Sequence, residues 1–177
     1  MTVTIRQPEP EEVGYLAYLW VELANSQRKH GSHLLGQENR EAIQNEMSMS
    51  TATGGVLLAE VTAEGGDDAD DADDADDGII VGFVTYGPEF SAYEQDVDRG
   101  MLHNIYVLPE YRNQGIGSEL FEAAEQSLLD AGMDVLVLEA MAANEDAQRL
   151  YRQHGYELHR VELERHIETN NHTKGNE

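Results

Sequence analysis

Residues 102–120, LHNIYVLPEYRNQGIGSEL, constrain the fold more tightly than any other stretch of this chain. An apolar run with strand character enters a turn that carries Gly115 and Gly117, and a helical pattern begins at once, with Leu120, Phe121, Ala124, Leu128 and Ala131 on one face. A glycine turn at a helix N-terminus leaves several backbone N–H groups pointing outward together, with the helix dipole behind them. Such a turn binds a phosphate or pyrophosphate through neutral amides, and glycine lets the ligand approach the backbone closely. Two known phosphate turns fit poorly. A GxxxxGK(S/T) loop needs a lysine that does not follow these glycines, and a GxGxxG turn needs glycine where Leu120 stands. Taken alone, the glycines are equally consistent with an ordinary strand-to-helix turn.

The rest of the pattern places this unit in a larger one. Residues 2–6 alternate Val3 and Ile5 with polar residues and read as a strand. Residues 8–25 and 37–49 read as two helices, the first with Val13, Leu16, Ala17, Trp20, Leu23 and Ala24 at helical spacing. Between them lies a loop with His30 and His33. Strand-like runs follow at 55–63, 78–87 and 100–108, then the helix at 117–131 and a strand at 134–140. A helix at 144–154 carries Ala147, Leu150 and Tyr151 on its inner side, and Gly155 stops it. The alternation YELHRVELERHI predicts a last strand or strand pair over 156–167. The expected fold class is α/β: one domain, 1–167, with a central mixed, mostly antiparallel sheet and helices on both faces, then a polar tail at 168–177. Residues 64–78, which contain DDADDADDADD, are expected to form a disordered acidic hairpin loop. The repeat lacks the turn glycine and closing glutamate of a calcium loop.

Composition removes several function classes. The formal charge of −24, from 35 Asp and Glu against 11 Lys and Arg, disfavours nucleic acid and anionic membrane as partners. No apolar run has the length of a membrane span. Cysteine is absent, which excludes disulfides, thiolate metal sites and a cysteine nucleophile. Residues 1–7 lack a basic stretch followed by an apolar one, so a cytoplasmic location without a secretory leader is expected. The acidity is spread along the chain and only Lys29 and Lys174 are lysines, a pattern that suits a salt-rich, halophilic cytoplasm better than recruitment of one basic partner.

The run Arg112-x-x-Gly115-x-Gly117, preceded by YVLPEY and followed by an amphipathic helix, resembles the acyl-coenzyme A motif of the GNAT N-acetyltransferase superfamily. A second block agrees: the strand VLVLEA, then Asn144 and AQRLYRQHGYE, similar to the family's N-x-x-A-x-x-x-Y-x-x-x-G-F/Y helix and turn. The resemblance covers residues 100–163, and upstream of them only the layout matches.

It implies transfer of an acetyl group from acetyl-CoA, as co-substrate, to a primary amine on a small molecule or peptide, with no metal. The pyrophosphate would rest on Arg112, Asn113, Gln114, Gly115, Ile116, Gly117 and Ser118, and the pantetheine arm would lie along Ile105, Tyr106 and Val107. Asn144 would touch the cofactor arm, and its other role is to cap the helix it begins. Tyr151 is the expected general acid toward the departing thiolate, although it equally suits a core aromatic. Where relatives often carry an acidic base, this chain has His103 and Asn104; His103 is the candidate base, with Glu94, Asp96 and Asp98 upstream as substitutes. His30 and His33 are expected to be acceptor contacts or plain loop residues. A homodimer through the C-terminal strands is compatible with the family pattern. Two other readings stand beside the enzyme: an acyl-CoA-binding sensor of the same fold, and an interaction module whose acidic tract recruits a basic partner.

Overall fold

A computed structural model describes residues 1–62 and 78–166. Its sheet has five strands in the order of the chain: β1 (Thr2–Arg6), β2 (Val56–Thr62), β3 (Ile79–Pro88), β4 (Arg99–Val107) and β5 (Val135–Leu138). Three pairings are antiparallel, and β4 with β5 is parallel. A parallel pair needs a crossover. Here it is α3 (Ile116–Asp130). Helices α1 (Val13–Gln27) and α2 (Arg40–Ala52) cover one face, where Leu16, Leu19, Trp20, Ile43 and Met47 pack on Leu58, Phe83 and Tyr106. On the other face Ile116, Leu120, Phe121, Ala124 and Leu128 of α3 pack on Val81, Val84 and Leu102. The central strand β3 is buried from Val81 to Tyr86, as a strand covered on both faces must be. The mixed, mostly antiparallel sheet with helices on both faces is thus as expected.

Several expectations need correction. The first helix does not begin at Pro8: a 3-10 turn at Pro10–Glu12 precedes it, and it runs on to Gln27. Ala131 is exposed, because α3 ends at Asp130 and the apolar stripe closes at Leu128. Residues 156–166 form no strand. A strand exists only through a hydrogen-bonded partner, and none of the described strands lies beside this segment, so Leu158, Val161 and Leu163 stay exposed. The acidic loop lies, apart from Gly78, outside the described residues, as does the tail beyond residue 166. Among the described residues no helix is long and apolar enough to cross a membrane.

The sheet's outer strand is tied to the 3-10 turn before α1 by Arg6. Its guanidinium donates to both carboxylate oxygens of Glu12, at 2.9 and 2.7 Å, and to Glu60 on β2 at 2.7 Å. The hydrogen bonds from Arg6 hold the Glu12 carboxyl below its usual range. A carboxyl depressed in the folded state binds protons more readily when unfolded, so its contribution is present above the ordinary carboxylate value and is lost as pH falls through the depressed one. Thermal melts of wild type and Arg6→Met should therefore differ most above the ordinary glutamate value, about pH 4.5, and converge as pH falls below it. A constant difference across that window would exclude the linkage.

Candidate active site

The site is built where β4 and β5 part. Their pairing runs from Arg99↔Val135 to Leu102↔Leu138 and stops, whereas β4 continues to Val107 with β3 on its other side. Residues His103–Val107 therefore have no β5 residue opposite them. The strand is also irregular here. Thr85 pairs with Asn104 and Tyr86 with Leu102, so His103 is an extra, bulged residue. The bulge resets the alternation: Leu102, Ile105 and Val107 lie on the α3 side, while Tyr106 joins the core under α1. Asn104 also faces α1. It accepts a hydrogen bond from the Trp20 indole at 3.2 Å and donates to the Thr85 hydroxyl at 2.9 Å. That engagement satisfies Thr85, a buried polar side chain, and leaves His103 as the exposed member of the pair the sequence offered for proton transfer.

A narrow hollow of ≈ 20 Å³, room for about one water, opens at the split. Its β4 wall is Leu102 to Ile105, its β5 wall Leu138 and Glu139, and its floor Phe121 and Tyr151. Tyr151 comes from α4 (Glu145–Gln153). Its ring stacks on Phe121 at 5.6 Å, and Phe121 also meets the edges of His154 at 4.6 Å and Tyr156 at 5.6 Å. Tyr156 donates to Glu125 of α3 at 2.9 Å, which fastens the chain after α4 to the crossover helix. Burial pushes the Tyr151 phenol above its ordinary value, so it stays protonated at neutral pH.

Beyond the C-terminal end of β4 the chain turns through Pro109–Tyr111 into α3. Asn113 and Gly115 both have positive φ, 60° and 90°. Gly115 is the N-cap, and no side chain caps the helix. The Ser118 amide donates to the Gly115 carbonyl at 2.9 Å, so within the first turn the amides of Ile116 and Gly117 are the ones left to a ligand or to water. Gly115 is required by its backbone angle. Gly117 is required by neither angle nor packing: a Cβ there would meet only Val107 Cγ2, at 3.9 Å. Arg112 is engaged with the protein, donating from Nε to the Val107 carbonyl at 2.8 Å and lying 5.3 Å from the Tyr106 ring centroid.

His103, Ile105 and Tyr151 thus share one hollow, while residues 112–118 form the turn beyond the same strand. Tyr106 and Val107 are buried in the two cores, so only their main chain could meet a ligand. Asn144 caps α4, accepting from the Ala147 amide at 3.2 Å. Asp98 sits at the opposite end of β4, where its carbonyl accepts from Asp134 and Val135, about 16 Å along the strand from His103. Glu94 and Asp96 are exposed in the preceding loop. His30 contacts the Ala143 carbonyl at 3.1 Å and His33 the Glu164 carboxylate at 2.9 Å, so both pack toward the C-terminal half. Sequence reasoning missed Glu139, although it directly follows the apolar run VLVL, where a parallel strand ends. It also missed Trp20 as a partner of Asn104, which no local pattern signals.

The model of the acetyltransferase (GNAT) family matches residues 67–156, just over half of the chain. Thialysine N-epsilon-acetyltransferase of Bos taurus is 39% identical over 70 residues, covering 39% of this chain and 41% of its own. An uncharacterized N-acetyltransferase of Archaeoglobus fulgidus is 35% identical over 97 residues, 55% of this chain and 56% of its own. The chain therefore spans about two fifths to just over half the length of these relatives. The solved structure of AAC(6')-Iy with the bisubstrate analog CoA-S-monomethyl-acetylneamine superposes with a TM-score of 0.62 at 16% identity, over 94% of this chain and 99% of that one. With the parted strands, the glycine turn that follows them and the matched family model in agreement, this chain belongs to the GNAT acetyltransferase family.

Proposed function

We propose that this protein moves an acetyl group from acetyl-CoA to a primary amine by direct attack, and that the gap between β4 and β5 receives the thioester. The observation that carries the reading is the shared hollow: a protonated, half-buried phenol, Tyr151, and an exposed imidazole, His103, line one opening at the point where the two strands separate. The residues fit the co-substrate. The uncapped α3 N-terminus, with Gly115 in the left-handed region and no clash at Gly117, suits a pyrophosphate held by amides within residues 112–118. The unpaired stretch of β4 suits an amide-bearing pantetheine arm along Ile105 to Val107. Asn144 stands at the start of α4, where it can serve as cap and cofactor contact at once.

In this reading the amine nitrogen attacks the thioester carbonyl carbon, and the C–S bond then breaks. His103 takes the proton the ammonium must lose, and Tyr151 gives one to the departing thiolate. With no cysteine in the chain, transfer needs no enzyme thioester. A small amine or a peptide amine is the acceptor class, in line with a relative named for thialysine. The acidic composition suits work in a salt-rich cytoplasm. Tyr151→Phe keeps the stack on Phe121 and removes the proton. It should lower kcat by roughly 100-fold or more while the acetyl-CoA Kd stays within a few-fold. Unchanged kcat would remove Tyr151 from the chemistry. Acetyl-CoA binding without turnover across a panel of primary amines would favour the sensor reading.

A further inference from the structure

On α1 the side chains that the core leaves outside are aromatic as well as charged. Tyr15, Tyr18 and Glu22 stand three and four residues apart, on the side of the helix turned away from the sheet. The two tyrosine rings stack at 5.9 Å with 28° between their planes, yet remain 40% and 44% exposed. Tyr106 and Leu108 pack in the same core as α1, which sets the turn Pro109–Tyr111 beside this stripe. Two phenols register the closeness. Burial first, then Tyr18 and Glu110, push the Tyr15 phenol up. Burial, opposed by Arg112 and reinforced by Glu22 and Glu110, pushes the Tyr106 phenol up. Among the described residues neither Glu22 nor Glu110 has an ion-pair partner. Arg112 already lies 5.3 Å from the Tyr106 ring centroid, with its Nε given to the Val107 carbonyl. A guanidinium is thus a group that this cluster accepts, and here one positive charge faces two negative ones.

We propose that the Tyr15–Tyr18 face of α1, together with Glu22 and Glu110, is a docking site for an arginine side chain of a partner polypeptide. A planar guanidinium lies against the open ring face, where the quadrupole attracts it, and donates to the carboxylates. Arginine suits the face better than lysine, because its flat and weakly hydrated head stacks on a ring whereas an ammonium keeps its water. The openness of the face selects a side chain over a free ion. Rings exposed to this extent enclose nothing, so the covering that excludes water has to come from the partner's own chain. Contacts of this kind act at short range and so persist where salt screens the general negative charge of the surface. The site is separate from the gap: it lies on the α1 side of the sheet past the end of β4, whereas the hollow is floored by Phe121 and Tyr151 on the α3 side.

The test titrates the intact protein in molar KCl with an acetyl-capped, amidated Gly-Ser-Arg-Ser-Gly peptide, which carries no amine for acyl transfer. A second peptide holds citrulline, the neutral isostere, in place of arginine. The ring protons of Tyr15 and Tyr18 report binding by NMR. Wild type should show saturable shifts and prefer arginine by roughly 10-fold or more. Glu22→Gln combined with Glu110→Gln should bring the preference within about 2-fold, and Tyr18→Leu should weaken arginine binding by roughly 5-fold. Phe90→Leu, which removes an exposed ring between β3 and β4, and Glu122→Gln, which removes an exposed charge on α3, should leave binding intact. Thermal melts confirm that each variant is folded. A wild type without preference overturns the site, and so does a preference that survives the double substitution. Methylguanidinium is the third arm: if it binds as tightly as the arginine peptide, the occupant is a free cation and the partner assignment is overturned.

Discussion

Gly115→Glu should raise the acetyl-CoA Kd by roughly 100-fold or more, equivalent to about 2.7 kcal/mol. Two effects add. Gly115 has a φ of 90°, a conformation that costs a residue with a side chain about 1–2 kcal/mol. The new carboxylate would also stand at the positive end of the α3 dipole, where the pyrophosphate is proposed to lie. The substitution perturbs one N-cap on the surface, so the fold should survive, and a thermal melt checks this. Gly117→Ala separates ligand clearance from strain. Its Cβ would meet nothing closer than 3.9 Å, so the variant should be as stable as wild type or more so, by up to about 1 kcal/mol of helix propensity. It should nonetheless bind acetyl-CoA more weakly if the pyrophosphate lies where proposed, because the added methyl would narrow its approach to the turn. Calorimetric titration decides it. Full affinity in a folded Gly117→Ala variant would mean that the cofactor does not come close to this turn.

Phe121→Ala should cost about 3–5 kcal/mol, a melting-point loss of roughly 6–20 °C for a chain of this size. Phe121 is fully buried and lies among Tyr151, His154 and Tyr156, all of which are at or beyond the C-terminal turns of α4. None of the α4 residues is fully buried, so the helix leans on this ring for its apolar seat on α3, beside the hydrogen bond from Tyr156 to Glu125. Removing the ring leaves a cavity under the active-site floor. The Tyr151 phenol should then lose both its orientation and its desolvation. The expected signature is joint: lower stability, and a fall in kcat greater than the rise in acetyl-CoA KM. Phe121→Leu fills most of the volume and should recover much of the stability but less of kcat, since only a flat ring orients the tyrosine by stacking. Equal recovery of both would mean that Phe121 supports the core and does not position Tyr151.

The elements legible in advance were those with long periodic signals. The α3 stripe of Leu120, Phe121, Ala124 and Leu128, and the apolar run of β3, are buried as their spacing requires. The glycine turn was legible because Gly115 and Gly117 stand directly before a helical stripe; that Asn113 and Gly115 are the left-handed residues of this turn came from the structure. The strand expected over 156–167 misled, because alternation records only a preference for an extended chain. It carries no information about whether a partner strand is available. The role of Asn104 was hidden for a related reason: its partners, Trp20 and Thr85, are 84 and 19 residues away, and a carboxamide has no periodicity to reveal them.

By itself, then, the sequence determined local conformation and chemistry: which long periodic segments coil or extend, and that a phenol, an imidazole and a glycine turn at a helix start are present. Only the tertiary structure decided where these meet. That β5 stops opposite Leu102 while β4 continues to Val107 follows from two strands paired across a helical crossover, and no residue of either encodes it alone. The same pairing brings Glu139 to His103, and the packing of α4 on Phe121 brings Tyr151 beneath them. The physical reason is that a site of this kind is an intersection of elements: each element's residues fix its own shape, and long-range burial and register fix the intersection.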